Sequence, residues 1–359
     1  MTENERALLV LNRVISSPGR WLRALKERTL TAADLWRDRS SAQALGLKDE
    51  TWERAASLLG SPWPEDEILR AQEAQARIVF QGDESYPGAL LDLEDPPVVL
   101  YVRGSWPLSS LAVALVGTRR CSPYGVQVAG ALGRKLAEAG VVVISGGAVG
   151  IDGAAHSGAI EGSGVTAAIL GTGVDQVYPR SHEDLFWSIL DSGGALISRF
   201  PMGVAGTPWH FPKRNGMIAA LARHVVVVES PLRGGAIITA RAAAEMGRDV
   251  WAVPGQVGQT VSVGSNKLLF DGAQPLWDLD QFVSIFAETS RSEQLDLRVD
   301  KQISESPLLE ELRRSGALTV DQLAQNLGVA VHEVTGILAE LEGDGLAYRS
   351  GPGRWSATP

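Results

Sequence analysis

Short apolar runs alternate with helical patterns through residues 111–285. The runs are LAVALVG (111–117), VVVIS (141–145), VTAAIL (165–170), ALIS (195–198), HVVVVE (224–229) and DVWAVP (249–254). Segments between them, such as YGVQVAGALGRKLAEAG, have apolar residues at helical spacing and end in a glycine that suits a helix C-cap. Continuous apolar strands that alternate with helices are typical of a parallel sheet covered on both faces. The pattern predicts a doubly wound α/β domain with a mostly parallel sheet.

Residues 1–75 show helical patterns and no clear strand. Apolar side chains recur at helical spacing, and Ser, Thr and Pro occur at the breaks, where they can cap helices. We expect a small helical domain of the SAM or helix-hairpin-helix kind. Its tryptophans, Trp21, Trp36, Trp52 and Trp63, are expected in the core and at its rim rather than on a binding surface.

The C-terminal part has a different pattern. Residues 288–305 are rich in Ser, Glu, Arg and Gln, which predicts a linker between a core at 76–287 and a last domain at 306–359. In the last domain three helices precede two strands, which predicts a winged helix with a helix-turn-helix around Gly328. Its four arginines against seven acidic residues give a net charge of −3, which is unfavourable for gripping a duplex. We expect contact with protein or a regulatory role; the alternative is a neutral appendage that stabilises the fold.

Composition limits the classes of protein. The 359-residue chain has a net charge of −9, so a nucleic-acid site would have to be a local basic groove. The single cysteine, Cys121, excludes an internal disulfide and a cysteine metal cluster. No apolar run approaches the length of a membrane span. With a single cysteine, a reducing cytoplasm is the expected location. We expect neither a metal nor a cofactor.

The loops that follow the predicted strands are rich in cations. Ligands of an open parallel sheet bind beyond the carboxyl ends of its strands. The cations found there are Arg119, Arg120, Arg180, Arg199, Lys213, Arg214 and Arg233. Several acids of the same loops, such as Asp152, Glu183 and Asp184, come at helix starts, where a carboxylate satisfies free N–H groups. One edge of the sheet is therefore predicted to be basic within an acidic protein.

Two glycine-rich turns, SGGAVGID (145–152) and RGG (233–235), stand where a strand gives way to a helix. Backbone N–H groups exposed there can hold phosphate oxygens, which predicts a cradle at Gly146, Gly147 and Gly150. The alternative is that these glycines only make tight turns. Neither a GxGxxG fingerprint nor a GxxxxGK[ST] loop is present.

The stretch TPWHFPKRN (207–215) places aromatic rings beside cations. Trp209, His210 and Phe211 directly precede Lys213 and Arg214. Flat rings beside cations suit a single strand, whose unpaired bases stack while its phosphates are neutralised. For Trp209 or Phe211 alone, packing as a loop plug is an equal alternative.

Motifs of catalysis are absent from the sequence. There is no HExxH, no GxSxG and no carboxylate cluster with metal spacing. His156 follows Asp152 by one helical turn, a spacing that favours a packed helix-face pair over an acid–base pair. The residues therefore indicate binding and not an enzyme. Catalysis by Cys121 is a minor alternative.

Together these segments resemble the bacterial DNA-processing protein A family (DprA, also called Smf). The matching stretches are DESYPGALLDLEDPPVVLYVRG (83–104), VGTRRCSPYG (116–125), SGGAVGIDGAAH (145–156), GTGVDQVYPRSHEDL (171–185), HFPKRN (210–215), LRGGAIITARAAAEMGRDVWAVPG (232–255) and GSNKLLFDGA (264–273). They occur in family order. A helical N-terminus and a C-terminal winged helix also occur in longer members.

The resemblance implies a Rossmann-like core that binds single-stranded DNA in a basic pocket at this edge of the sheet. It also implies a homodimer without a catalytic centre, which protects incoming DNA during natural transformation and helps to load the RecA recombinase. The alternative is an enzyme: similar glycine-rich cores include nucleotide phosphoribohydrolases, and Glu229 would be its acid.

Individual residues follow from the same resemblance. Arg119 matches the arginine after the first strand, Arg180 a basic position after the Tyr-Pro pair, and Phe211 a base-stacking residue. Leu269 falls in the segment that the family uses for self-association. The full set of predicted DNA-binding residues is Arg119, Gly146, Gly147, Gly150, Arg180, Phe211, Lys213, Arg214, Asn215, Arg233, Gly234 and Gly235.

Two positions depart from the family pattern. Val149 stands where members often have Arg or Lys, and Gly216 replaces the second arginine of RNRII. We expect one phosphate contact fewer at Val149, and a pocket that is weaker or different in shape.

Overall fold

The computed structural model describes residues 1–105, 111–286, 307–343, 346–351 and 353–358. The chain divides into two compact units, Met1–Phe286 and Ala287–Pro359. The predicted linker at 288–305 lies outside the described residues. Helices and sheet share the first unit, so a domain border at residue 75 stays a prediction.

The N-terminal residues fold into short helices, as their apolar spacing predicts. These are α1 (Glu3–Val14), α2 (Pro18–Lys26), α3 (Ala32–Arg37), α4 (Arg39–Ala44), α5 (Asp49–Leu59) and α6 (Trp63–Glu73). Their apolar side chains form one core, in which Trp36 is buried and Trp21, Trp52 and Trp63 are partly buried. The expected placement of the tryptophans in core and rim is confirmed.

Nine strands of the described residues form one sheet. They are β1 (Ala76–Phe80), β2 (Val99–Gly104), β3 (Ala112–Val116), β4 (Val142–Ser145), β5 (Thr166–Ile169), β6 (Ala195–Ser198), β7 (His224–Val227), β8 (Asp249–Ala252) and β9 (Gln274–Pro275). Their order is β1-β2-β6-β5-β4-β3-β7-β8-β9. In this order, every neighbouring pair from β6 through to β9 is parallel. β2 pairs antiparallel with both of its neighbours, β1 and β6. The six predicted strands are confirmed in a mostly parallel sheet; β1, β2 and β9 have no counterpart in the prediction.

Helices cover both faces of this sheet. They are α7 (Pro123–Glu138), α8 (Ile151–Glu161), α9 (Glu183–Asp191), α10 (His210–Leu221), α11 (Gly235–Glu245) and α12 (Val263–Phe270). Successive residues of β3 point to opposite faces. Val113 and Leu115 pack with α7 and α8, and Ala114 and Val116 pack with α10 and α11. Burial on both faces explains why the central strands are continuously apolar.

The described part of the second unit consists of helices and a small antiparallel sheet. Its elements are α13 (Pro307–Ser315), β10 (Leu318–Thr319), α14 (Val320–Leu327), α15 (Val331–Gly343), β11 (Ala347–Gly351) and β12 (Arg354–Ala357). β12 pairs with both β10 and β11. Gly328 ends α14 in the left-handed conformation, with φ 68°. Leu309, Leu323 and Trp355 belong to a core of this unit.

Candidate nucleic-acid interface

The direction in which the strands are added reverses at β3, and the candidate site lies there. From β3 the chain continues to β4, β5 and β6 on one side and then returns to β7 on the other. Loops that leave the carboxyl ends of β3 and β7 diverge and open a crevice between them. Its base is closed by the backbone, because the N–H of Thr118 donates to the carbonyl of Glu229 at 2.8 Å.

A cleft of about 670 Å³, here called the main cleft, fills this crevice. Its walls are the loop after β3, the loop between β7 and α11, and one side of α10. The cations that line it are Arg119, Arg120 and Arg214. Among the described lining residues only Asp152 carries a carboxylate, and that side chain is buried. The cleft is therefore basic, as the loop cations predict.

Phe211 forms an aromatic wall of the main cleft. The guanidinium carbon of Arg119 lies 4.9 Å from the centroid of the Phe211 ring. The centroids of the Tyr178 and Phe211 rings are 5.8 Å apart. Arg119 is exposed, and Tyr178 is 47% exposed. A free cation beside two rings can neutralise a phosphate next to a stacked base.

Arg214 is held inside the protein. It is only 4% exposed, and its Nη1 donates to the carbonyl oxygens of Gly146 and of Ile169, the latter at 2.9 Å. Burial lowers the pKa of this guanidinium to about 10, although the nearby Asp152 acts in the opposite direction. Burial also raises the pKa of the Asp152 carboxyl, against the effect of Arg214. Arg214 therefore fastens the glycine turn to β5; contact with DNA stays a prediction.

The predicted glycine cradle is packed closely against side chains. A Cβ on Gly146 would lie 1.7 Å from Nη1 of Arg214, and a Cβ on Gly147 would lie 2.8 Å from the ring of Phe186. Gly147 and Gly150 have positive φ values, 67° and 85°, which favour glycine. Three N–H groups of the same turn donate within the protein, those of Ala148, Ile151 and Gly153. These contacts support the tight-turn alternative, and phosphate binding by the turn stays a prediction.

The start of α11 offers backbone N–H groups to the main cleft. Gly234 is the N-cap of this helix, and Gly235 begins it. The Asn215 amide donates to the carbonyl of Gly235 at 3.1 Å, which joins α10 to α11. No acidic residue occupies the first turn of α11, a helix that the structure describes in full. The positive end of this helix is therefore available to an external anion.

Three predicted cations lie outside the main cleft. Lys213 is half-buried, and its Nζ donates to the carbonyl of Ser16. Burial lowers the pKa of Lys213, and Arg199 lowers it further. Arg180 and Arg233 are exposed but are not part of the lining. For all three, contact with DNA stays a prediction.

Arg199 was expected to add a free cation to this edge, and that expectation is wrong. The side chain is 4% exposed and forms an ion pair with Asp95 at 2.8 Å. Because the partner is a carboxylate, the pair adds little positive potential at the edge.

Glu229, the acid of the alternative enzyme, is buried and hydrogen-bonded. Its carboxylate accepts the backbone N–H of Ser122 at 2.8 Å and the hydroxyl of the same residue at 2.6 Å. Ser122 in turn caps α7 by accepting the N–H of Gly125. Anchoring a helix start is sufficient to account for a buried carboxylate here.

We expect Glu229→Gln to lower the free energy of unfolding by about 1–3 kcal/mol, because charged acceptors make the stronger hydrogen bonds. Urea unfolding measures this change, with Glu183→Gln, an exposed residue of α9, as the matched control. Release of free base from nucleotides by the wild-type protein, abolished by Glu229→Gln, would instead support the enzyme.

Tyr178 was not among the predicted site residues, although it belongs to one of the matching stretches. The signal was an aromatic residue in a loop that follows a parallel strand, where ligands bind.

Val149 lines a small pocket of about 80 Å³ with Arg119 and Phe211. Gly216 lies on α10, where a Cβ would be 3.2 Å from Leu93. The effect of these two departures on affinity stays a prediction.

Apolar side chains are exposed near the segment predicted for self-association. Leu269 is half-buried on α12, whereas Phe270 is 85% exposed and Trp277 is 70% exposed. Large exposed apolar side chains can mark an interface, and self-association through this segment stays a prediction.

The described residues contain neither a candidate membrane span nor a candidate metal site. None of the described helices is long and apolar enough to cross a membrane. Within the same residues, His, Cys, Asp and Glu side chains form no group of three or more that could hold a metal ion.

Known proteins are similar to this chain along most of its length. A family model for DNA recombination-mediator protein A matches residues 77–287. Protein Smf from Escherichia coli (strain K12) is 34% identical over 340 residues, which cover 90% of this chain and 91% of that protein.

Two solved structures are also similar. DNA processing protein A from Streptococcus pneumoniae has 32% sequence identity and a TM-score of 0.55, covering 64% of this chain and 84% of that one. DNA processing protein A from Helicobacter pylori, whose structure concerns its single-stranded DNA binding mode, has 29% identity and a TM-score of 0.55, covering 60% and 97%. The matched core and the agreement with Smf over nearly its whole length show that the chain belongs to the DNA recombination-mediator protein A family, DprA/Smf.

Proposed function

We propose that the main cleft binds single-stranded DNA. The observation that carries the proposal is the group formed by exposed Arg119, the Phe211 ring and the Tyr178 ring at the point where the strand order reverses. Unpaired bases are free to stack on such rings, whereas the bases of a duplex are already stacked on each other, which favours a single strand. The cations and the start of α11 supply the complementary charge for phosphates.

The family gives this binding a cellular role. Members are named for DNA processing and recombination. We infer that the protein acts without catalysis in the cytoplasm, where it protects incoming single strands during natural transformation and helps to load RecA onto them. It does so as a homodimer through the segment that contains Leu269. The exposed Phe270 and Trp277 support a contact surface in this part of the chain.

We further propose that residues 306–359 form a winged-helix domain. The order helix, short strand, two helices and two strands among its described residues supports this architecture. With a net charge of −3 over this segment, a protein partner suits it better than a duplex.

Removing the Arg119 guanidinium tests the site. We expect Arg119→Ala to weaken binding of a single-stranded oligonucleotide by about 10-fold to 100-fold, since hydrogen bonds to charged groups are worth about 1.5–3 kcal/mol. The slope of log affinity against log salt should flatten by about 0.7 for the lost phosphate contact on a single strand. Fluorescence-anisotropy titrations at several salt concentrations measure both quantities.

Arg134→Ala is the matched control. Arg134 is also an exposed arginine, but it lies near the C-terminal end of α7 and pairs with Glu161. This control should retain the wild-type affinity and slope. Equal binding by Arg119→Ala and by the wild type would reject the main cleft as the site. Tighter binding of duplex than of single strands would reject the choice of nucleic acid.

A further inference from the structure

The segment 206–213 is a wall between two cavities. Gly206, Pro208 and Phe211 line the main cleft on one side. On its other side lies a second cavity of about 320 Å³, here called the side groove, between this segment and the α1–α2 region. The residues of the side groove that bear on its chemistry are Arg13, Ser16, Arg199, Trp209, His210 and Lys213.

The side chains that line the side groove carry a net positive charge. Its Arg199 is paired with Asp95, which leaves Arg13 and Lys213 as the cations of its lining. Arg13 is exposed in the last turn of α1, and the Lys213 ammonium is held at the Ser16 carbonyl. None of the described residues that line the groove is acidic. An anion that entered it would therefore meet cations from two different elements.

An aromatic ring stands at the same place on a fixed backbone. Trp209 is 81% exposed, although indole rings are usually well covered. Its neighbour His210 stacks on Phe200, with ring centroids 4.0 Å apart, and its Nδ1 lies 3.2 Å from the carbonyl oxygen of Gly171. These contacts hold the backbone that presents Trp209. An exposed ring on an anchored segment loses little conformational freedom when a base stacks on it.

We propose that the side groove binds the continuation of the single strand that occupies the main cleft. A base stacks on Trp209, and neighbouring phosphates contact Arg13 and Lys213. The proposal rests on the function proposed above, since it needs a strand in the main cleft. It also assigns Lys213 to a different stretch of DNA from the one that contacts Arg119. The binding surface thereby extends from the sheet edge to the N-terminal helices.

Strand length separates the two cavities experimentally. The probes are fluorescein-labelled oligothymidylates of about 5 and about 30 nucleotides, one near the lower end and one beyond the upper end of the usual site size of single-strand binding folds. The variant is Arg13→Gln/Trp209→Ala in the full-length protein. We expect an affinity for the long probe at least about tenfold lower, with a salt slope flatter by about 0.7, and an unchanged affinity for the short probe.

The matched control is Arg134→Gln/Trp187→Ala, which also removes one exposed arginine and one exposed indole. It should bind both probes as the wild type does, and thermal unfolding should show that both double variants are folded. Unchanged affinity of Arg13→Gln/Trp209→Ala for the long probe would overturn the side groove. Equal losses for both probes would also overturn it, because these residues would then act in the main cleft. The main cleft is tested separately by Arg119→Ala. Unchanged binding by that variant would reject the main cleft, whatever the result for the side groove.

Discussion

Replacing Arg214 with methionine is expected to lower the free energy of unfolding by about 3–5 kcal/mol, the usual cost of removing one member of a buried charged group. Arg214 and Asp152 are both buried, and both approach the position that a Cβ on Gly146 would take. Without the guanidinium, the buried Asp152 carboxylate loses its compensating charge. The carbonyl oxygens of Gly146 and Ile169 lose a donor as well.

Urea unfolding measures this loss, and Arg119→Met is the matched control because Arg119 is exposed at the same site. The control should unfold within about 0.5 kcal/mol of the wild type, as surface substitutions usually do. Adding Asp152→Asn to Arg214→Met should recover part of the stability, since it removes the uncompensated charge. A stable Arg214→Met variant with much weaker DNA binding would contradict the structural role and favour direct contact.

Acidification from neutral pH to about pH 3 is expected to cost the first unit about 4 kcal/mol through His156 alone. This histidine is fully buried on α8, and its Nδ1 lies 2.7 Å from Oγ1 of Thr166. The Thr166 hydroxyl donates to the carbonyl of Val143, so it accepts from His156, whose Nδ1 therefore carries a proton. Nε2 of His156 is buried and has no hydrogen-bond partner among the described residues.

Burial, with smaller contributions from the nearby His182 and Arg214, lowers the pKa of His156 to about 3. The unfolded chain, with an ordinary histidine pKa of 6.5, binds the proton first as the pH falls. The contribution to stability is fully present above pH 6.5 and is lost as the pH falls towards about 3. The raised pKa of Asp152 acts in the opposite direction, because the folded protein then takes up that proton first.

Urea unfolding between neutral pH and about pH 4 tests the contribution of His156. The wild type should lose stability more steeply than His156→Gln, by up to about 1.4 kcal/mol per pH unit. The control His332→Gln alters an exposed histidine and should leave the pH dependence unchanged. Identical pH dependence of the wild type and His156→Gln would contradict a buried neutral imidazole.

The central sheet could be predicted because its strands are covered on both faces. That environment requires a continuous apolar run, which the sequence shows for β3 to β8. The outer strand β1 has an exposed position and no such run. The antiparallel β2 is buried because Val99 and Tyr101 pack with the N-terminal helices, a contact between distant parts of the chain. The apolar run of β2 is as continuous as those of the central strands, so the strand was visible in the sequence, whereas its antiparallel pairing depends on contacts between distant parts of the chain.

The position of the candidate site also followed from the chain alone. Loops after parallel strands gather at one edge of the sheet, so the sequence alone predicts that Arg119, Phe211 and Asn215 lie close together. The structure places all three in the lining of one cleft. Tyr178 completes the aromatic part, and its participation depends on how the loop after β5 folds back over α10.

The order of strands along the chain sets where the loops emerge, so cations, glycines and rings could be expected at one edge of the sheet from the residues alone. The environment of each cation depends on the folded chain. Lys213 and Arg214 are neighbours, yet successive residues of a helix point about 100° apart. Lys213 therefore reaches the side groove while Arg214 is enclosed beneath the main cleft. Burial depends on what packs against each face of α10, and that partner comes from elsewhere in the chain.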